Sequence, residues 1–276
     1  MHSLRLWFYI LIVVSICVGF VAVDLGDFDT FYAAGQAVLH GINPYTLPGY
    51  YSPLYVALAF APLTLLPLSL AFHLYAGLTI FLYGIAFYLL TRRIGMTIAL
   101  MFSPFPLMTA YYGNLEAWVL IGSVMTPWIG IWLVLAKPQM GLIIAALFVW
   151  LAFRCSVGRG IRLIVPVGAM YALSFMAGMW TPPPTEQWWG ATPIAQPWNM
   201  ALWPLGLIIG IPAALIALRK RQVDLALFAG PFISPYIGAP SSLAGVLPFL
   251  GKRWYTAAGA IVGAWIIVIL WRMRIP

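Results

Sequence analysis

The stretch LWFYILIVVSICVGFVAVDLGDFDTFY, Leu6 to Tyr32, joins an apolar run of membrane-spanning length directly to an acidic cluster. Residues 6–23 carry no charge, and about 20 apolar residues in a helix suffice to cross a hydrocarbon core. Asp24, Asp27 and Asp29 follow at once, three of the six acidic residues in the chain. No Lys or Arg occurs between Leu6 and Thr91, so these carboxylates have no opposite charge nearby in sequence. Unpaired charge near lipid is expensive, which demands either a water-facing position or a function.

The rest of the chain shares the character of residues 6–23. Of 276 residues, 63% are hydrophobic and 7% charged, against roughly 45–50% and about 25% in soluble globular domains. Mean hydropathy is +0.97. These values predict an all-α, polytopic integral membrane protein. A β-barrel is disfavoured because its strands read as alternating segments of about ten residues. The apolar runs predict one transmembrane domain over residues 1–276, with about 8–10 membrane segments, some of them short, broken or re-entrant. The formal net charge of +8 does not point to nucleic acid, because the basic residues occur in small groups between apolar runs. Cys17 and Cys155 are too far apart in pattern to suggest a disulfide or a metal framework.

Charge placement orients the chain. Arg5 precedes the first run, which reads as a membrane helix entering from the cytoplasm rather than as a signal peptide, since no small-residue cleavage site follows it cleanly. The N-terminus is then cytoplasmic, and residues 24–52 form an extracytoplasmic loop of a multi-pass cell-membrane protein. Residues 51–67, interrupted by Pro53, Pro62 and Pro67, read as re-entrant or interfacial. A span over 69–90 delivers Arg92 and Arg93 to the cytoplasm, as the positive-inside rule asks. An outward segment over 97–110 leads to Tyr111-Tyr112-Gly113-Asn114-Leu115-Glu116, and short pieces over 116–125 and 128–136 lead to Lys137-Pro138-Gln139. Residues 140–153 return inward to Arg154, Arg159 and Arg162, and 163–180 go outward to a second extracytoplasmic loop, 181–200. Segments over 201–218, 225–235, 243–250 and 256–271 complete the chain, and the final pair Arg272 and Arg274 falls on the wrong side of this alternation.

Two groups of residues carry chemistry. Asp27 and Asp29 lie in a loop or short helix among Phe28, Phe31 and Tyr32. A carboxylate there can serve as a general base toward a sugar hydroxyl if burial raises its pKa. Equally, the cluster can be a solvated loop, and calcium is a weaker alternative because the EF-loop spacing is missing. Glu116 and Lys137 are lone charges in apolar surroundings, where ionisable residues are functional candidates by default. Lys137 with Gln139 and Asn114 offers donors to a phosphate or polar ligand, while a structural Glu116–Lys137 pair is the plainer reading. His73 reads as a packed histidine and His40 as a surface one.

The order of motifs resembles a known family. Asp27-Phe28-x-x-Phe31-Tyr32-x-Ala34, then Gly41-x-Asn43-Pro44-Tyr45, Tyr51-x-Pro53-Leu54, Phe60-Ala61-Pro62-Leu63 and Leu66-Pro67 resemble the opening of polyprenol-phosphate-dependent mannosyltransferases of the alpha-1,2-mannosyltransferase type. Gly113-Asn114, Lys137-Pro138 and Ser234-Pro235-Tyr236 resemble later motifs of that family. The resemblance implies a GT-C-like transmembrane core and transfer of a hexose, mannose by analogy, from a polyprenyl-phosphate donor to a glycan or lipid acceptor outside the cytoplasm. It implies Asp27 as the catalytic base. The motif residues Tyr32, Asn43, Tyr45, Tyr51, Asn114 and Tyr236 are then candidate substrate contacts, together with Asp29, Glu116, Lys137 and Gln139 from the charge reading. No cofactor and no metal is expected, and the partners are the lipid-linked sugar, its acceptor and membrane lipids. The alternatives are a transporter or flippase, or a noncatalytic membrane subunit of the same fold.

Overall fold

The computed structural model describes residues 2–21, 26–179, 199, 201–238, 241 and 253–274. Every regular element among the described residues is helical. Helix α1 (His2–Val21) packs along α4 (Leu68–Thr91), and α2 (Gly26–Leu39) packs on α3 (Leu54–Phe60) and the 3-10 turn Ala61–Leu65. Of the two forms expected for the acidic stretch, a loop or a short helix, residues from Gly26 onward take the helix; Asp24 lies outside the described residues. The prolines act as read. Pro62 falls in the 3-10 turn that ends α3, and Pro67 caps α4, because a proline lacks the N–H that a helix interior needs.

The expected outward segment over 97–110 is instead two helices, α5 (Ile94–Met101) and α6 (Pro104–Tyr112), bent by 55° at their break. Pro104 explains the bend, since it pushes Ser103 to extended backbone, with ψ of 155°. Helices α7 (Glu116–Val124) and α8 (Pro127–Leu135) are short and pack on each other. Next come α9 (Pro138–Cys155) and α10 (Val157–Met176), packed side by side. Helix α10 begins earlier than the expected 163, because the Ser156 hydroxyl accepts the Arg159 N–H at 3.2 Å and caps it there. Helices α11 (Leu207–Lys220) and α12 (Val223–Ile233) pair closely, and α13 (Trp254–Arg274) lies against α5 and α6. The expected loop over 181–200, apart from Asn199, and the segment over 243–250 lie outside the described residues.

Three described helices, α4, α9 and α10, are long and apolar enough to cross a membrane, or four spans if the bent pair α5 and α6 counts as one. The remaining apolar helices are shorter. Large apolar side chains face outward along several helices, among them Tyr9 (66% exposed), Met176 (83%) and Ile208 (74%).

Two packed regions position the charged residues. An aromatic cluster surrounds the start of α2: the Phe28 ring lies 5.8 Å from Phe60, 5.4 Å from Phe72 and 5.3 Å from Tyr75. The second region joins α4, α7, α8, α9 and α12 around Tyr83, Phe87, Leu120, Met140 and Leu147. From its contact with Phe28, α4 runs on to Arg92, about 25 Å away at 1.5 Å per residue. Likewise α9 runs from Lys137 to Arg154, and antiparallel α12 starts just after Arg219, Lys220 and Arg221 and brings Gly230 against Met140. These basic groups therefore stand at helix ends remote from Asp27.

Candidate functional site

Three helix starts and one helix end meet at the site. Asp27 is in the first turn of α2, Glu116 opens α7, and Lys137 is the N-cap of α9. The acidic residues suit the positive end of a helix dipole, whereas Lys137 opposes it and so requires a counter-charge. Glu116 supplies that charge: Lys137 Nζ lies 2.6 Å from Glu116 Oε1, with Glu116 only 1% exposed. The plain structural pairing is thus present.

The pair is also wired to Asp27. Lys137 Nζ donates to Asn114 Oδ1 at 2.7 Å, and Asn114 Nδ2 donates to Asp27 Oδ2 in a short hydrogen bond. The amide orientation follows from chemistry. The Leu115 N–H also donates to Asn114 Oδ1, at 2.8 Å, so two donors fix the oxygen on that side and leave the NH2 group for the carboxylate. Lys137 has three N–H donors, of which two are used among the described residues.

Backbone shape makes this contact possible. Gly113 ends α6 in left-handed conformation, with φ of +66°, and a β-carbon there would collide with Phe28. Gly26, with φ of +43°, sits so close to α6 that its β-carbon would be 2.7 Å from the Tyr112 Cα. The two glycines let the start of α2 touch the end of α6, which sets Asp27 against Asn114. Tyr75 then holds the turn by donating to the Asn114 carbonyl at 2.9 Å.

The Asp27 carboxyl keeps an exposed edge, yet the surrounding protein removes enough water to push its pKa above the ordinary 3.8. Burial is the largest cause; Lys137 pulls the other way, Glu116 adds to the rise, and the Asn114 hydrogen bond opposes it. Such a group is a stronger base than an ordinary surface carboxylate.

Asp27, Asn114, Glu116 and Lys137 are therefore brought together. Gln139 follows in the first turn of α9, and its buried Oε1, like Glu116 Oε2, has no hydrogen-bond partner among the described residues. The other candidates stand apart from this chain of bonds. Asp29 is exposed and two residues beyond Asp27, which in a helix is about 200° around the axis. Tyr32 spends its hydroxyl on the Leu66 carbonyl at 2.7 Å. Asn43 accepts the Tyr45 N–H at 3.1 Å and donates to the Ala177 carbonyl at 2.6 Å. Tyr45 donates to the Ser52 carbonyl at 3.1 Å, Tyr51 is exposed, and Tyr236 is half-buried after α12. Ser241 was not anticipated. Its hydroxyl donates to Glu116 Oε1 at 2.6 Å, and a serine in the sequence Pro240-Ser241-Ser242 carries no charge or spacing signal that marks it.

No protein-family model matches the chain, nor does any curated protein or solved structure.

Proposed function

We propose that the chain is a multi-pass membrane glycosyltransferase with a GT-C-like core, which transfers a hexose from a polyprenyl-phosphate donor to a glycan or lipid hydroxyl on the extracytoplasmic side. The observation that carries this reading is the unbroken hydrogen-bonded path from Asp27 through Asn114 to Lys137. A base with raised pKa and a cation held a few ångströms away are the two groups that inverting transfer from a phosphate requires. Asp27 takes the proton of the acceptor hydroxyl, whose oxygen attacks the anomeric carbon. The bond from that carbon to the phosphate oxygen breaks, and polyprenyl phosphate leaves with the electron pair. The remaining N–H of Lys137 offsets the charge that grows on the leaving phosphate. Asn114 holds Oδ2 of Asp27, which leaves Oδ1 for the incoming proton.

Membrane insertion is supported by the large apolar side chains that face outward along several helices, among them Tyr9, Met176 and Ile208. The orientation is supported by the basic residues at the helix ends remote from Asp27, as the positive-inside rule expects of a cytoplasmic face. Sugar identity and lipid donor rest on the family resemblance of Asp27-Phe28-x-x-Phe31-Tyr32 and the motifs after it. The test is a donor panel: purified protein in liposomes is given polyprenyl-phosphate hexoses or nucleotide hexoses with a glycan acceptor. Transfer from the lipid donors alone is expected, and transfer from nucleotide sugars alone contradicts the reading. A transporter or flippase would instead move the lipid-linked sugar across the bilayer without cleaving it.

A further inference from the structure

We propose that a face of half-buried tyrosines beside Lys137 is a seat for a hexopyranose ring, with Tyr45, Tyr55 and Tyr171 accepting hydrogen bonds from its hydroxyls and Trp132 supplying an apolar wall. The inference deepens the sugar-transfer reading and rests on it for the ring's place in a reaction. Tyr55 on α3 lies 5.1 Å from the Trp132 ring and 6.5 Å from Tyr171 on α10. The turn that carries Tyr45 meets the end of α10, where Asn43 donates to the Ala177 carbonyl at 2.6 Å. Tyr45, Tyr55, Trp132 and Tyr171 are all half-buried, so each keeps an accessible edge. The face adjoins the site because Tyr171 donates to the carbonyl of Leu135, two residues before Lys137.

The chemistry of this face is one-sided. A phenol has one proton, and here the protons are already committed within the protein: Tyr55 donates to the Trp132 carbonyl at 2.8 Å, Tyr45 to the Ser52 carbonyl at 3.1 Å, and Tyr171 to Leu135. The lone pairs that remain can only accept. A ligand that fits such a face must be rich in donors and have apolar surface for the rings. A saccharide offers both, through its hydroxyls and its C–H faces. An ionised phosphate is mostly acceptors and has no apolar face for the rings, and an ammonium is disfavoured by Lys137 close by.

Saturation-transfer NMR on the full chain in nanodiscs, with methyl α-mannoside, choline and inorganic phosphate as separate probes, tests this directly. Saturable binding of the mannoside is expected, weakened about three- to tenfold by Tyr55→Phe or Tyr171→Phe, the loss typical of one neutral hydrogen bond. Saturable binding of choline or phosphate without the mannoside overturns the proposal, as does mannoside binding indifferent to both tyrosine changes. Trp132→Phe, which keeps an apolar ring and all backbone bonds, serves as a third variant and should also weaken the mannoside signal. In the transfer assay, a mannoside that is itself glycosylated places the seat on the acceptor side, and one that only competes with the lipid donor places it on the donor side. Tyrosine-dependent binding without transfer from any lipid donor retains the seat and removes the transferase; transfer with unchanged KM in both tyrosine variants removes the seat.

Discussion

Glu116 and Asp27 act on each other through space, and the sign of that interaction is testable. The Asp27 base works only when ionised, so transfer should rise with pH through an inflection above 3.8, the ordinary value that burial and Glu116 exceed. Glu116→Gln removes a negative charge that holds the Asp27 pKa up, so the inflection should move to lower pH. A pH–rate profile of the two proteins checks the direction, and an upward move contradicts the electrostatic account. Lys137→Met has a different consequence. It leaves the 1%-exposed Glu116 without its partner, and loss of one member of a buried pair costs about 3–5 kcal/mol. Thermal unfolding in detergent should show that loss, and Lys137→Met combined with Glu116→Gln should recover most of it.

At the scale of the element, the site depends on a helix end that only glycine can make. Gly113→Ala forces a side chain into left-handed backbone and against Phe28, at a cost of about 1–3 kcal/mol. It should also part Asp27 from Asn114, so transfer should fall further than stability does. Gly95→Ala is the control: it lies within α5 with open space around it, and alanine should raise stability by roughly 0.5–1 kcal/mol there. Melting curves and transfer rates on both variants separate the two effects. Much of this arrangement was legible beforehand. Asp27, Glu116 and Lys137 stood out because charges are rare in so apolar a chain, and the proline breaks near 62 and 67 fell where expected. The helical start of α2 and the kink at Pro104 were less legible, since short apolar segments look alike whichever side of a break they fall on. Adjacency in sequence put Asp29 with Asp27, and helical geometry turns it away. Ser241 was illegible for a different reason, because it joins Glu116 from 125 residues along the chain.

For the whole molecule, the polar site and the basic clusters occupy opposite ends of α4 and α9, and the proposed orientation puts the site outside. Cys155, exposed at the end of α9, should then resist a membrane-impermeant maleimide in intact cells. A cysteine placed at exposed position 29, in a chain with Cys17→Ala and Cys155→Ala, should be labelled. The reverse pattern overturns the orientation. The composition made the helical class legible from the outset, whereas the number of spans was not: among the described residues three helices, or four spans with the bent pair, meet the length and hydropathy of a crossing. Proline-broken pieces such as α7 and α8 are apolar throughout yet too short to cross as single helices. The central claim is that Asp27 is the base in transfer from a lipid-linked sugar. It is met most directly by comparing the parent chain with Asp27→Asn in liposomes that contain polyprenyl-phosphate hexose and a glycan acceptor. The amide keeps the shape and a hydrogen-bonding oxygen but cannot take the proton. Transfer should drop by about 10²–10⁴-fold with the melting temperature little changed; full transfer by the folded variant would contradict the account.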